Sequence, residues 1–312
     1  MKILGIETSH DDTSIAILEN SKVVDLITIS QIDIFKEFGG TIPELSSRTH
    51  VKNIQVILEM LIKKWNLNEI DVIAYTEKPG LIGTLQIGYL FANALSLALN
   101  KPIYPIDHLE GHFYSTVINE EEVKYPALCL LVSGGHTQLM YIKNPTSFEI
   151  IGQTQDDAVG EAYDKVSVRL GLGFPGGPTI DKLYKTYRGE FIKLTSPKTE
   201  NELDFSFSGL KSQVINLYRN SIDRGQKLDE VALVCSFQHL VVEYLISKVK
   251  KAIQKYEFES LMLAGGVSAN SLLRQEFLKL SDKATIPNLK YATDNGAMIA
   301  RCLYEKLKDV QK

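Results

Sequence analysis

The sequence is poor in cysteine. Its 312 residues contain three, Cys129, Cys235 and Cys302, each isolated in an apolar run and none in a CxxC pair. This argues against a disulfide framework and predicts buried, reduced thiols in a cytoplasmic protein. The length allows two cores of ordinary size, and 44% hydrophobic with 23% charged residues is typical of a globular enzyme.

Membrane and export signals are also weak. The opening MKILGIETS has too short an apolar run for a secretory signal. Residues 81–99 carry no charge and are just long enough to span a bilayer. Gln86, Asn93 and Asn100 share one face of the predicted helix, however, and no basic flank follows. We therefore predict a buried helix with one polar edge, and no membrane association.

The chain also has no excess of positive charge. The formal net charge is −4, whereas proteins that bind nucleic acids on their own usually carry a basic footprint. Tight, independent binding of nucleic acid is therefore disfavoured, unless a local patch or a partner supplies the positive field. GxxxxGK[ST] does not occur, so a P-loop fold lacks its motif. The GxGxxG match at residues 171–176 lies in an irregular region and not directly after a predicted strand, so it does not indicate a dinucleotide-binding fold.

A strand pattern in the first 30 residues recurs after Pro126. The predicted strands are residues 2–8, 13–19 and 23–30, and again 127–132, 136–142 and 148–153. Laying LGIETSHDDTSIAIL over LCLLVSGGHTQLMYI superimposes strand, small-residue turn and strand, which indicates a distant internal duplication. We predict two mixed α/β lobes whose turns face one cleft, because ligands of open α/β sheets bind beyond the carboxyl ends of strands.

The remaining pattern places helices between and after these strands. Apolar residues at helical spacing predict helices over residues 43–65, 231–256 and 298–307. Residues 156–230 are rich in Gly, Asp and Lys, and are predicted to be irregular.

His108 and His112 are the strongest candidates for metal ligands. Residues four apart on a helix lie on one side, so both imidazoles can reach one ion. The alternative is a hydrogen-bonded surface pair. HLEGH is similar to the HExxH of metalloproteases, but Glu110 is placed on the opposite side of the helix, where it cannot act on metal-bound water.

Two histidines leave a hard cation short of ligands, so a carboxylate is expected to complete the set. Asp11 and Asp294 each stand in a turn of small residues, and the pattern alone does not rank them. For Asp294 the alternative is the N-cap of the last helix.

Glycine turns after strands predict an anion site. Ser133, Gly134 and Gly135 follow one strand and offer unobstructed N–H groups, although plain hairpins also contain such turns. Gly265 and Gly266 follow another strand and lead through Ser268 and Asn270 into a helix, whose N-terminus favours phosphate. Together they predict a nucleotide site.

The irregular region adds further candidates. The corner Pro175-Gly176-Gly177-Pro178 fixes a backbone path that a ligand could approach closely. Asp164 and Asp181 are either ligand-binding or solvated loop residues. Residues 204–211, DFSFSGLK, are either a strand edge packed on the core or a loop facing the substrate.

Nine segments carry a family resemblance over nearly the whole chain. In order they are GIETSHDDTSIAI, FGGTIPELSSRTHV, HLEGH, LLVSGGHTQL, DDAVGEAYDKV, PGGP, LDFSFSGLK, LAGGVSAN and TDNGAMIA. The chain resembles the universal tRNA threonylcarbamoyltransferases of the bacterial TsaD type. That resemblance implies a duplicated fold of the acetate-kinase, sugar-kinase, Hsp70 and actin type. It also implies transfer of threonylcarbamoyl from threonylcarbamoyl-AMP to N6 of adenosine 37 in tRNAs reading codons that begin with A, with release of AMP.

The resemblance also implies roles for particular residues. It places metal ligands at His108, His112 and Asp294, with Fe²⁺ the usual ion and Zn²⁺ or Mg²⁺ as alternatives. Asp11 and Asp12 are then free for catalysis, Asp11 as the base with Asp12 or His136 assisting. Substrate contacts fall on the following residues: Leu131, Val132, Ser133, Gly134, Gly135, Asp164, Gly177, Asp181 and Asn270.

The implied lobes are residues 1–122 with helix 294–312, and residues 123–293 with a family-specific insert at about 156–230. The implied partners are tRNA, a TsaB-like paralogue and a TsaE-like ATPase. ATP, ADP or AMP could also occupy the nucleotide site.

Two departures from the family pattern stand near the site. His10 and Asp12 replace the usual Cys and Glu, so Asp12 is one methylene shorter, and Lys78-Pro79-Gly80 replaces a Gly-Pro-Gly turn.

Three other functions remain open on the sequence: a kinase or ATPase of the same fold, a non-catalytic scaffold paralogue, and a glycoprotein endopeptidase. The position of Glu110 disfavours the endopeptidase, and the presence of His108 and His112 disfavours the scaffold paralogue.

Overall fold

The computed structural model describes residues 1–120 and 122–310 and contains two five-stranded sheets. The strands are β1 (Lys2–Glu7), β2 (Asp12–Glu19), β3 (Lys22–Ser30), β4 (Val72–Lys78), β5 (Ile103–Asp107), β6 (Ala127–Val132), β7 (Thr137–Asn144), β8 (Ser147–Gln153), β9 (Ser260–Ala264) and β10 (Ala284–Thr285).

The α-helices vary in length from a single turn to 26 residues. They are α1 (Ile32–Phe35), α2 (Pro43–Ile62), α3 (Ile82–Leu99), α4 (His108–Ser115), α5 (Val159–Arg169), α6 (Gly176–Thr186), α7 (Ser208–Asp223), α8 (Glu230–Lys255), α9 (Ser271–Leu278) and α10 (Gly296–Val310). Short 3₁₀ helices cover Lys36–Phe38, Leu67–Glu69, Gly266–Ala269 and Leu289–Tyr291.

Contacts divide the chain into two compact units. The first contains Met1–Val123 and Pro287–Lys312, and the second contains Lys124–Ile286. The first sheet has the order β3-β2-β1-β4-β5, with β1 antiparallel to β2 and parallel to β4. The second runs β8-β7-β6-β9-β10, with β6 antiparallel to β7 and parallel to β9. Both units therefore repeat one topology, which confirms the predicted duplication.

In the first unit, helices cover both faces of the sheet. Leu4 and Ile6 of β1 belong to one core cluster with Ile57 of α2 and Ala92 of α3. Successive side chains of a strand point to opposite faces, so Gly5 faces the other way, towards α10. A Cβ at Gly5 would lie 2.1 Å from the carbonyl oxygen of Gly296. The absence of side chains at both positions lets the start of α10 lie directly against β1.

Helix α3 is less buried than the sequence suggests. Only Thr84, Gly88, Ala92 and Leu95 are buried, so the predicted buried helix with one polar edge is wrong. Ile82, Leu90 and Leu97 lie on its open side and are 78%, 59% and 78% exposed. Helices α3 and α8 both meet the length and composition of a membrane span, but most of α8 is buried in the second unit.

Residues 156–230 are more regular than predicted, because they contain α5, α6 and α7. Helix α6 was not predicted, because the Pro-Gly-Gly-Pro sequence at its start has a low helical propensity. Pro175 is the N-cap and Pro178 lies in the first turn, where a proline's missing N–H costs no helical hydrogen bond.

The DFSFSGLK segment packs on the core rather than lying free. Phe205 forms a parallel bridge with Thr154, and both Phe205 and Phe207 are fully buried. The carboxylate of Asp156 accepts hydrogen bonds from the N–H groups of Phe207 and Ser208 at 2.7 and 3.1 Å. Of the two alternatives for this segment, the structure supports the one packed on the core.

Candidate metal centre and anion-binding turns

Two buried imidazoles and a half-buried carboxylate come together in the first unit. Asp107 ends β5 and caps α4 by accepting hydrogen bonds from the N–H groups of Leu109 and Glu110. This cap fixes the start of α4 at His108, so His112 follows one turn later on the same side. Asp294 stands just before α10, which packs against α4. The structure thus brings His108, His112 and Asp294 together.

The distances suit ligands of one ion. Asp294 Oδ1 lies 3.6 Å from His108 Nε2 and 3.1 Å from His112 Nε2. Two donor atoms that each lie about 2.1 Å from a metal are separated by about 3.0 to 3.5 Å. Each of the three side chains offers one potential ligand atom, and these atoms all lie within 4.8 Å of one another. No other group of three or more His, Cys, Asp or Glu side chains in residues 1–120 and 122–310 meets this condition.

The electrostatics of the trio also fit a bound cation. Burial favours the neutral acid of Asp294, but the charges of His108 and His112 hold the pKa of Asp294 well below its usual range. Burial lowers the pKa of His108, yet the charges of Glu7 and Asp294 raise it to about 9. His112 is fully buried, and neither of its ring nitrogens has a partner in hydrogen-bond geometry among the described residues. A divalent ion would take the Nε2 lone pair of each histidine and replace the compensating proton.

Glu7 is a further residue of this centre that the sequence analysis missed. Its Oε2 lies 3.1 Å from His108 Nδ1, and its carboxylate also accepts hydrogen bonds from Ser9 N and Thr76 Oγ1. A carboxylate on Nδ1 fixes the tautomer and ring orientation that leave Nε2 for a metal. The available signal was a single acidic residue directly after four residues without a polar side chain, at the end of the strand KILGIE.

Replacing Glu7 with glutamine is expected to weaken metal binding about 10- to 100-fold, because the amide keeps the size of the side chain but not the charge behind His108. Calorimetric titration of metal-free protein with Zn²⁺ measures the dissociation constant. Glu69→Gln is the control, since Glu69 is an exposed carboxylate in the same unit, paired with Lys2. Equal dissociation constants for the two variants would contradict a positioning role for Glu7.

Two alternatives for the centre are resolved by the contacts. Asn295, not Asp294, caps α10, since its Oδ1 accepts from Met298 N at 3.0 Å. The carboxylate of Glu110 pairs with Lys306 of α10 and is not part of the trio. Glu110 therefore points away from the histidines, as its position in the helix predicted.

The His10-Asp11-Asp12 turn connects β1 and β2 and is held from α2. Ser46 Oγ and His50 Nε2 both donate to the carbonyl oxygen of His10, at 2.7 and 3.0 Å. Asp11 Oδ1 lies 2.9 Å from His10 Nδ1. Burial would lower the pKa of His10, but the hydrogen bond and charge of Asp11 raise it overall. His10 therefore orients Asp11 and lies outside the metal trio.

Asp12 differs from Asp11 in its surroundings. Its Oδ1 is buried and has no hydrogen-bond partner among the described residues. Burial and the nearby charge of Asp294 raise its pKa to about 7. A carboxyl group that titrates near neutral pH is suited to accepting or donating a proton during a reaction.

The raised pKa of Asp12 predicts a pH-dependent stability of the metal-free protein. The folded carboxyl group binds its proton more tightly than the unfolded one, so this stabilisation is complete below the ordinary pKa and is lost as the pH rises through about 7. Between pH 5 and pH 8 the wild type should therefore lose unfolding free energy relative to Asp12→Asn in urea titrations. The exposed Asp33→Asn serves as control. If the difference in unfolding free energy between the wild type and Asp12→Asn stays constant over this pH range, the raised pKa of Asp12 is contradicted.

In the second unit, the two glycine turns are neighbours at the carboxyl edge of the sheet. Gly265 has a φ of +86°, and a Cβ there would lie 2.4 Å from Val132 O, at the end of β6. Gly134 and Gly135 have open space where their Cβ atoms would be. The N-terminal turn of α5 abuts the same place, since Gly160 N donates to Ser133 O at 3.2 Å. The turn at Gly134 and Gly135 is thus unobstructed and lies beside the start of α5, where an anion could bind.

The other predicted substrate residues extend this surface. Asp164 accepts a hydrogen bond from Gly176 N and so joins α5 to α6. The buried Asp181 of α6 accepts from Ser271 N and Oγ at the start of α9. Asn270 is the N-cap of α9.

These contacts limit how the predicted residues could meet a ligand. Asp181 is a buried, hydrogen-bonded residue, so the alternative of a solvated loop aspartate is wrong for it. Leu131 and Val132 are fully buried in β6, so only their backbone atoms could contact a ligand. His136 follows the glycine turn, and its N–H donates to Ser133 Oγ at 3.0 Å.

Solved structures with this fold define the class of protein. The chain matches full-length HypF in its phosphate- and nucleotide-bound form with a TM-score of 0.63 at 12% identity, over 100% of this chain and 47% of that one. It matches component A of the (R)-2-hydroxyglutaryl-CoA dehydratase of Acidaminococcus fermentans with a TM-score of 0.58 at 13% identity, over 99% of both chains. The protein therefore has the actin-like ATPase fold, as predicted.

Sequence comparison identifies the family. The family model of TsaD, tRNA N6-adenosine threonylcarbamoyltransferase, matches residues 22–301. The protein of that name from Mycoplasmopsis agalactiae is 70% identical over 99% of this chain and 100% of its own length. The one from Mycoplasmopsis synoviae is 58% identical over 99% of both chains. The chain belongs to the tRNA N6-adenosine threonylcarbamoyltransferase family.

Proposed function

We propose that this protein transfers the threonylcarbamoyl group of threonylcarbamoyl-AMP to N6 of adenosine 37 in tRNAs that read codons beginning with A, and releases AMP. The observation that carries this proposal is the close His108–His112–Asp294 trio in a chain of this family. The reaction is an acyl transfer from a mixed anhydride to a weakly nucleophilic amine. It therefore needs a polarised acyl group, a held adenylate and a group that accepts the amine's proton.

The residues of both units divide these tasks. His108, His112 and Asp294 would hold a divalent ion, Fe²⁺ in our proposal, which supplies Lewis-acid polarisation and orientation of the acyl-phosphate. The turn at Ser133, Gly134 and Gly135, backed by the N-terminus of α5, binds near the phosphate.

Other residues bind the nucleoside and accept the proton that the attacking amine loses. The Gly265-Gly266 turn and Asn270 seat the adenosine. Gly177 and Asp181 of α6 are further substrate contacts, with Asp164 fixing the start of α6. Asp11 accepts the proton of the amine, and Asp12 or His136 assists it.

The test is a reaction of purified protein with threonylcarbamoyl-AMP and unmodified tRNA, followed by mass spectrometry of the nucleosides. We expect N6-threonylcarbamoyladenosine to form, and to fall to background after chelation and return when metal is restored. The proposal would be wrong if the tRNA stays unmodified with the partner proteins present while the protein phosphorylates a small substrate from ATP.

We further propose that the protein works in the cytoplasm with a TsaB-like paralogue and a TsaE-like ATPase. Ile82, Leu90 and Leu97 of α3 give that helix an exposed apolar surface, and Val51 and Ile62 are exposed on α2, which packs against α3. Such a surface is typical of a protein interface. We assign it to the paralogue, which would bury it.

Leu90→Glu is expected to abolish co-purification with the paralogue while leaving the isolated chain folded, because a charge would then be buried in the interface. Ile222→Glu on α7 is the matched control, since Leu90 and Ile222 are both 59% exposed on helices. Gel filtration with the paralogue measures complex formation. Retention of the complex by Leu90→Glu would place the interface elsewhere.

A further inference from the structure

Helix α8 buries a glutamine against one of the proposed substrate contacts. Gln238 is fully buried, and its Nε2 donates to Asp181 Oδ1 at 3.0 Å. Val234, Val241 and Val242, about one helical turn away on the same side of α8, belong to the apolar core of the second unit. An amide thus stands where the helix otherwise presents apolar side chains to the core.

The amide group of Gln238 is only partly satisfied. Its Oε1 is buried and has no hydrogen-bond partner among the described residues. A buried acceptor without a partner is destabilising, whereas an apolar side chain of the same length would avoid this cost. Stability alone therefore favours methionine at this position, so the amide contributes through the group to which it donates, Asp181.

Asp181 uses its two carboxylate oxygens differently. Oδ1 accepts from Gln238 Nε2 at 3.0 Å, from Ser271 N at 3.2 Å and from Ser271 Oγ at 2.7 Å. These three donors fully occupy an oxygen that has two lone pairs. Oδ2 pairs with the exposed ammonium group of Lys185, 2.9 Å away. Oδ2 is therefore the oxygen that remains available to a ligand.

The partners of Asp181 belong to the proposed adenosine site. Lys185 and Ser271 line a cavity of about 460 Å³ between the end of α6 and the start of α9. Ser271 directly follows Asn270, which seats the adenosine in the proposed function. Gln238 is fully buried in α8 and does not line this cavity, so it acts on a ligand through Asp181 and not by contact.

We propose that Gln238 is a positioning residue of the adenosine site, which fixes the rotation of the Asp181 carboxylate so that Oδ2 faces Lys185 and the ligand. This inference rests on the proposed function, in which Asp181 is a substrate contact. The terminal torsion of an aspartate is broad, so its hydrogen bonds decide where each oxygen points. Gln238 holds the carboxylate from α8, and Ser271 holds it from α9.

Gln238→Met removes the donor and keeps the length of the side chain. Calorimetric titration with AMP, which the proposed reaction releases, should give a dissociation constant about tenfold higher than that of the wild type, because the carboxylate loses one of its fixed donors. The KM for threonylcarbamoyl-AMP should rise by a similar factor, while kcat and the KM for tRNA stay nearly unchanged. The midpoint of thermal unfolding should shift by less than about 4 °C, since the unpaired Oε1 is removed together with the donor.

Gln213→Met is the matched control. Gln213 is a half-buried glutamine of α7 in the same unit, and its Oε1 accepts from the backbone N–H of Thr195 instead of contacting a substrate residue. This variant should bind AMP and form product as the wild type does.

Gln238→Glu gives a signature that a loss of packing does not produce. Burial and the neighbouring carboxylate of Asp181 should raise the pKa of the introduced carboxyl group. When protonated it can donate to Asp181, and when charged it repels Asp181. The ratio of its AMP dissociation constant to that of the wild type should therefore be about tenfold larger at pH 8 than at pH 6. The corresponding ratio for Gln238→Met should not change with pH.

A double-mutant cycle tests whether Gln238 acts through Asp181. In an Asp181→Ala background, Gln238→Met should leave the AMP dissociation constant unchanged, because the carboxylate on which Gln238 acts is gone. An equal loss of affinity in both backgrounds would mean that Gln238 acts by another route, and would overturn the proposal.

The outcomes separate this inference from the proposed function. If the wild type forms product and Gln238→Met behaves like Gln213→Met, the positioning role is wrong and the proposed function stands. A large loss of thermal stability in Gln238→Met, with AMP binding unchanged, would make Gln238 a structural residue only. Absence of product with the wild type and its partner proteins would reject the proposed function, and the role of Gln238 with it.

Discussion

Asp294→Ala is expected to abolish both metal binding and turnover, with kcat falling at least about 1,000-fold. Two imidazoles alone leave a hard divalent ion underliganded, and loss of its Lewis-acid effect removes several kcal/mol of transition-state stabilisation. The substitution also leaves the buried His108 without one of the two carboxylates that raise its pKa to about 9. The metal-free variant should therefore hold fewer protons at this centre near pH 8.

Glu110→Gln is the matched control for this prediction. Glu110 lies between the two histidines on the same helix, but it pairs with Lys306 and stands outside the trio. It should keep the metal content, measured by elemental analysis, and the rate of nucleoside formation. If Glu110→Gln lost activity while Asp294→Ala kept it, the trio would not be the reaction centre.

Asp11→Asn is expected to lower kcat about 10²- to 10⁴-fold while leaving metal content and the KM for tRNA nearly unchanged. The amide keeps the shape of the side chain and its contact with His10, but it cannot accept the proton of the attacking amine. The His10–Asp11 turn is held by Ser46 and His50, so the substitution should not displace the loop. Single-turnover rates with preformed threonylcarbamoyl-AMP separate this chemical step from product release.

Asp12→Asn and the exposed Asp33→Asn complete the comparison for the base. A smaller loss in Asp12→Asn would agree with an assisting role, and Asp33→Asn should behave as the wild type. A larger loss in Asp12→Asn than in Asp11→Asn would exchange the two assignments. Asp12 has the pKa near 7 that suits a base, so the order of the two losses is informative.

Local patterns predicted much of the fold and the candidate site. The strand–turn–strand repeat predicted two sheets of one topology, because alternation and turn residues are local signals. The spacing of His108 and His112 predicted a shared side of a helix for the same reason. The glycine turns were predicted to lie at strand ends, and Gly265 does lie against the end of β6.

Other features depend on contacts that no local pattern encodes. Asp294 reaches the histidines because α10 packs on α4 and β1, and the sequence alone did not rank it above Asp11. Glu7 lies in an apolar strand, and its role follows only from its distance to His108. Helix α3 was predicted to be buried because its composition is apolar, whereas exposure depends on what covers it. Helix α6 was missed because its first turn contains residues that usually end helices.

The close approach of Gly5 and Gly296 joins the first and the last synthesised parts of the first unit. His108 and His112 leave the ribosome before the whole second unit, but Asp294 and the α10 helix that seats against Gly5 leave after it. The whole second unit is therefore synthesised before His108, His112 and Asp294 can come together. A chain that ended before Asp294 would carry only the two histidines of this trio.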